Sequence, residues 1–272
     1  MHSRPFVAWL VPVAVAAAGC QSVQTTGPGA VGVERRQTML VSSQEVNDGA
    51  ARAYQQTLQD AAKKNQLDRD AAQLARVRGI AQRLIGRTGA LRPDAPGWAW
   101  EVHVITSQEV NAWCMPGGKI AVYTGLIDQL RVTDEELAAV MGHEIAHALR
   151  EHGREQASQA MAQGIAINVI GAVAGLSAGA QDLSQLVLDL TFNLPHSRRD
   201  ETEADRIGVE LAARAGYNPH AAIGLWEKMQ KSGGGKPPQF LSTHPSDASR
   251  ISDLQSYSER VMPLYEAARA GH

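Results

Sequence analysis

Two histidines and a glutamate stand in the run His143-Glu144-Ile145-Ala146-His147. Residues four apart on a helix lie on one face about one turn apart, so both imidazoles can share a tetrahedral ion, with Glu144 beside them. A zinc ion held by three protein ligands lowers the pKa of a bound water to about 7, and a neighbouring carboxylate then serves as general base. That combination hydrolyses amides. The pentapeptide also arises by chance in unrelated helices, so a third ligand has to be found. Downstream, Ser197-Arg198-Arg199-Asp200-Glu201-Thr202-Glu203-Ala204-Asp205 reads as helical. Glu201 or Glu203 can complete the set. Asp205, four residues after Glu201, can accept a hydrogen bond from a liganding imidazole and fix its tautomer. Two histidines and one carboxylate leave a coordination position open, whereas structural zinc sites are closed by four protein ligands.

The elements that must position these groups are legible in outline. Thr133, with Glu136 three residues on, forms a capping-box start for the helix that carries the histidines through about Glu151. Earlier helical patterning spans 46–62, and Ala72, Val77, Ile80, Ala81, Leu84 and Ile85 recur at helical spacing in a second helix. Residues 91–97 hold two prolines and a glycine and form a loop. Alternation over 100–104 and the run 119–124 predict two strands, the second following a turn at Pro116-Gly117-Gly118. The fold class is α+β, predominantly helical, with a small sheet. The Ala-, Gly-, Ile- and Val-rich stretch 160–180 is near the length of a membrane span, but Gln163, Asn168 and Ser177 favour a buried or cleft-lining helix. His103, His152, His196 and His220 are expected to be structural or exposed, and Cys114 to be a small residue or free thiol.

The chain has 272 residues, 44% hydrophobic and 20% charged, enough for one substantial domain. A formal net charge of -2 carries no basic excess, so no nucleic-acid partner is expected. Two cysteines exclude a disulfide framework. At the N-terminus, Arg4 precedes the apolar run 5–16 and the small residues Ala17, Ala18 and Gly19 stand before Cys20. This predicts a lipoprotein signal peptide over 1–19 with acylation of Cys20, a flexible Gly-, Ser- and Thr-rich tether over 20–43, and a catalytic domain over 44–272.

The HEIAH run, the SRRDETEAD segment and the later Ser242-Thr243-His244-Pro245 resemble the HtpX-, BepA- and LoiP-like zinc metallopeptidases, relatives of the prenyl-protein CAAX proteases. The likeness covers roughly residues 70–255, and the chain is closest in length to the short LoiP-like form. It implies a zincin of the gluzincin type, one Zn2+ per chain, and Glu201 rather than Glu203 as the third ligand. It implies that Asn111, Ala112, Pro116, Gly117 and Gly118 belong to a strand and turn flanking the cleft, where an extended substrate adds by backbone pairing. It also implies that His244 approaches the metal as a fourth, restraining ligand, and that Arg250 contacts substrate or a transition-state oxyanion, or else pairs with an acid. The implied activity is endopeptidase cleavage of misfolded or misassembled cell-envelope proteins, the alternative being a chaperone-like assembly factor with latent proteolysis. Gln21, where enterobacterial lipoproteins retained in the inner membrane carry aspartate, implies periplasm-facing outer-membrane delivery.

Overall fold

The computed structural model describes residues 21–173, 183–232, 238–245 and 249–271. In chain order the elements are β1 (Gln21–Val23), β2 (Gln37–Met39), α1 (Ser43–Lys63), α2 (Ala71–Ile85), β3 (Glu101–Ile105), β4 (Ala112–Met115), β5 (Lys119–Tyr123), α3 (Thr124–Leu130), α4 (Asp134–Leu149), α5 (His152–Val173), α6 (Leu183–Phe192), α7 (Arg198–Arg214), α8 (Ala221–Ser232), α9 (Gln239–Thr243) and α10 (Arg250–Ala270). The mostly helical α+β class is as expected, and so are the first strand of the sheet and the capped metal helix. Ser42 with Glu45 and Thr133 with Glu136 form reciprocal capping boxes at α1 and α4, and Ser197 caps α7 by accepting from the Asp200 N–H.

Helix α4 is buried on all sides, from Leu137 through Leu149. A helix apolar all round belongs in the middle of a domain, and α7 packs directly on it. The two backbones meet at Gly142 and Gly208, where a Cβ on Gly208 would stand 2.9 Å from the His143 nitrogen and 3.0 Å from its Cα. That approach brings the first turn of α7 within side-chain reach of both histidines. The three-stranded sheet has the order β3-β5-β4, with β3 parallel and β4 antiparallel to β5, so β4 is the edge strand on the side away from β3. Its turn back to β5 uses Gly117 and Gly118 at positive φ, and a Cβ on Gly118 would strike the Trp100 ring at 2.6 Å. The Tyr54 hydroxyl on α1 donates to the Ile120 carbonyl at 2.9 Å, tying that helix to the central strand.

The segment expected to be a flexible tether over 20–43 is, from Gln21 onward, a packed strap, so the folded body begins well before residue 44. Strands β1 and β2 pair antiparallel, and Val31, Val33, Met39 and Val41 are buried. The Gly27 N–H donates to the Leu91 carbonyl at 2.7 Å, Val31 N–H to Glu210 Oε2 at 3.0 Å, and Leu40 N–H to Ser158 Oγ at 3.0 Å. Local composition misses this because every partner lies far away in sequence and the apolar residues fill grooves between other elements, with no period of their own. Cys20 and the preceding residues lie outside the described residues, as does 174–182 within the apolar stretch. Among the described residues no helix is long and apolar enough to cross a membrane.

Candidate metal centre

His143 and His147 extend from one face of α4 with their Nε2 atoms 3.1 Å apart. Glu201, in the first turn of α7, places Oε1 3.3 Å from His147 Nε2 and Oε2 3.5 Å from His143 Nε2. His244 follows α9, with Nδ1 3.2 Å from His143 Nε2 and 2.9 Å from Glu201 Oε1. Stacking of Phe240 on His244, with centroids 4.4 Å apart, and the His244 N–H to Phe240 carbonyl bond of 2.9 Å hold that loop in place. All four side chains are buried, and their donor atoms lie within 4.8 Å of one another. Ligands of a tetrahedral zinc ion at bond lengths of 2.0–2.1 Å stand about 3.3 Å apart. The five separations given above, 2.9–3.5 Å, bracket that figure, and three imidazoles with one carboxylate are a donor set suited to zinc.

The surrounding groups orient these donors. In the neutral ring of His143, Nδ1 donates to Asp205 Oδ1 at 3.0 Å, which leaves Nε2 for a metal. Burial disfavours charge on His143, but the bonds to Asp205 and Glu201 outweigh it and raise its pKa to about 9 in the absence of a metal. His147 is pushed well down by burial and by neighbouring His196. Glu201 stays well below the usual carboxylate range although burial opposes this, because the imidazoles around it favour its charge. Arg250 donates to Glu201 Oε2 at 3.0 Å and to Asp205 Oδ1 at 2.7 Å, with its guanidinium 3.4 Å above the Trp226 ring. Of the roles open to Arg250, the geometry realises pairing with acids.

Glu144 faces a cleft lined also by Trp113, Cys114, Pro116, Val187, Leu190 and His196. Its Oε1 stands 3.4 Å from His244 Nε2 and, among the described residues, has no hydrogen-bond partner. Burial raises its pKa against the pull of His244 and His143, and the Cys114 backbone N–H reaches it from the edge strand. Asn111 and Ala112 are buried at the start of that strand, Pro116 opens into the cleft, and Gly117 packs beside Asn47. Burial, with the charge of Glu144, drives the Cys114 thiol well above its usual value, so it is no nucleophile.

His103 pairs with Asp68 at 2.6 Å and His220 with Glu259 at 3.3 Å, structural roles as expected. The other two histidines belong to the site. His196 lies with its ring centroid 4.1 Å from that of His147, and His152 places Nδ1 2.9 Å from His147 Nδ1. A chain reversal at Glu151, in the left-handed region at φ 52°, brings His152 back onto the helix it has just left. Its spacing of five residues from His147 is the signal that was available, but nothing local shows that the helix ends between them.

A buried His-His-Glu cluster on two crossed helices, beside a carboxylate and an edge strand, defines a metallopeptidase of the zincin kind. The chain belongs to peptidase family M48, whose model matches residues 71–258, and is a BepA- and LoiP-like member of it. It is 39% identical over 180 residues to the mitochondrial metalloendopeptidase OMA1 of Arabidopsis thaliana, covering 64% of this chain and 35% of that protein. It is 30% identical over 245 residues to the metalloprotease LoiP of Escherichia coli, covering 89% of this chain and 92% of the relative. The β-barrel assembly-enhancing protease of Yersinia pestis is 27% identical over 201 residues, covering 68% of this chain and 38% of that protein. The chain thus matches between about a third and a half of the length of its OMA1 relatives.

Proposed function

We propose that the protein is a zinc-dependent endopeptidase that cleaves misfolded or misassembled cell-envelope proteins, anchored to a membrane through an acylated Cys20. The observation that carries the peptidase reading is the set of four buried donors within 4.8 Å of one another, with the Glu144 carboxylate beside it. His143, His147 and Glu201 would hold one Zn2+, which supplies Lewis acidity toward a carbonyl and toward water. Glu144 takes the proton of the attacking water and delivers it to the leaving amine, and its raised pKa suits a group that must both accept and give. Asp205 keeps His143 in the liganding tautomer, and Arg250 holds Glu201 and Asp205 in register. An extended peptide adds along β4, whose outer edge faces Glu144, and backbone pairing gives loose sequence preference. His244 supplies a fourth donor where hydrolysis needs an open position, so the resting enzyme is restrained. Gln21 after Cys20 supports periplasm-facing attachment to the outer membrane.

A second reading, an assembly factor that holds clients in the groove, draws on the occupied position of His244 and on a relative named for enhancing β-barrel assembly. Elemental analysis of wild type beside Glu201→Ala, with a casein-cleavage assay, tests the first reading. Near one zinc per chain, lost with Glu201 and accompanied by chelator-sensitive cleavage, is expected; no zinc in wild type would sink it. Glu144→Gln separates the two, because a cellular phenotype that survives this change favours holding over cutting.

A further inference from the structure

Glu203 lies two residues past Glu201 and points away from the metal cluster into a second buried network. Its Oε1 accepts from Arg35 Nε at 2.5 Å, and its Oε2 from Arg150 Nε at 2.9 Å and from Arg150 NH2 at 2.8 Å. Oε2 also stands 3.2 Å from His152 Nε2. A carboxylate between two guanidiniums is ionised and can only accept, so His152 carries a proton on Nε2. In neutral His152, Nδ1 is then bare, and it faces Nδ1 of His147 at 2.9 Å. The proton between the two rings therefore sits on His147, which leaves His147 Nε2 bare toward His143 Nε2 and Glu201. This is the tautomer that a metal requires, reached without reference to any metal.

Arg35 comes from the strap. Besides Glu203 it donates to both carboxylate oxygens of Glu155, at 2.6 and 2.8 Å, joining the first turn of α5 to α7. Arg150 is fully buried; its other terminal nitrogen donates to Thr25 Oγ1 and Thr26 Oγ1, and the one that meets Glu203 also donates to the Arg35 carbonyl, all strap groups. The strap thus closes over the carboxylate that orients His152.

We propose that His152 and Glu203 are positioning residues that lock His147 in its metal-binding tautomer, and that Arg35 of the N-terminal strap completes this arrangement by holding Glu203. The inference rests on the zinc reading above. Groups that orient a liganding imidazole affect metal affinity by about 10–100-fold.

The test is zinc affinity of the full chain by chelator competition, with circular dichroism and a thermal melt of each metal-free variant. His152→Phe fills the same space with no acceptor and should weaken zinc about 10–100-fold, as should Arg35→Met. His152→Asn, whose side-chain oxygen replaces Nδ1, should restore most of the affinity. Arg36→Met, whose guanidinium among the described residues bonds only Ser22, should match wild type. Should His152→Phe fail to fold, His152→Asn against His152→Gln decides, because glutamine puts its polar end at the Nε2 side and leaves His147 without its acceptor. Wild-type affinity in a folded His152→Phe variant, or equal affinities for Asn and Gln, would overturn the relay while leaving the zinc site intact. A wild type that binds no zinc would overturn the metal reading and the relay with it.

Discussion

Zinc must compete with a proton on His143. Asp205 at 3.0 Å and Glu201 at 3.5 Å overcome burial and lift the pKa of this ring from 6.5 to about 9. A metal takes the nitrogen that this proton occupies, so binding below that pH releases one proton. At pH 7, two units lower, proton competition weakens zinc ~100-fold relative to a pH above 9, roughly 2.7 kcal/mol at 1.36 kcal/mol per unit. The dissociation constant should therefore fall about tenfold per unit from pH 7 to 9 and then level off. Chelator competition from about pH 6 to 10 measures this, and calorimetry in two buffers of different ionisation enthalpy counts the proton. Asp205→Asn removes the larger of the two favourable bonds, so its plateau should begin at lower pH. The same shift fixes the stability profile of the metal-free protein. With the folded pKa above the unfolded value, the contribution of this proton is full below pH 6.5 and is lost as pH rises through about 9. A dissociation constant that stays flat between pH 7 and 9 would refute the reasoning.

Four further outcomes follow from the same geometry. Glu144→Gln should keep its zinc while casein cleavage falls by about 10²–10⁴, and an active variant would remove Glu144 from the general-base role. His244→Ala should retain metal by elemental analysis and cleave faster than wild type, since it vacates the fourth donor position; slower cleavage would argue that the histidine serves catalysis instead. Arg250→Ala leaves two buried carboxylates without their shared cation, so urea unfolding of the metal-free form should lose about 3–5 kcal/mol, and a loss under about 1 kcal/mol would mean that the clamp is not formed in solution. Gly208→Ala forces a methyl against the His143 backbone and should cost about 1–3 kcal/mol together with weakened zinc binding; unchanged zinc affinity would show that the ligands tolerate separation of the two helices.

What the sequence made legible is what local physics encodes. Thr133, with Glu136 three positions on, marks the start of α4, and a helical period of 3.6 is enough to put His143 and His147 on one face. Spacing alone does not separate Glu201 from Glu203, because both stand in the first turns of the same helix. Only the crossing of α7 over α4 aims one at the histidines and the other at Arg35 and Arg150. That crossing depends on two glycines, 142 and 208, whose importance lies in a contact across the chain that no local pattern carries. The strap is illegible for the same reason, since Arg35 finds its partners at 155, 200 and 203. The two residues on α7 therefore divide one task. Glu201 contributes a donor to the cluster, and Glu203, through His152, sets the proton on a ligand of the opposite helix. Because the strap holds Glu203, the N-terminal segment from Gln21 onward reaches the metal centre through three successive side chains: Arg35, Glu203 and His152.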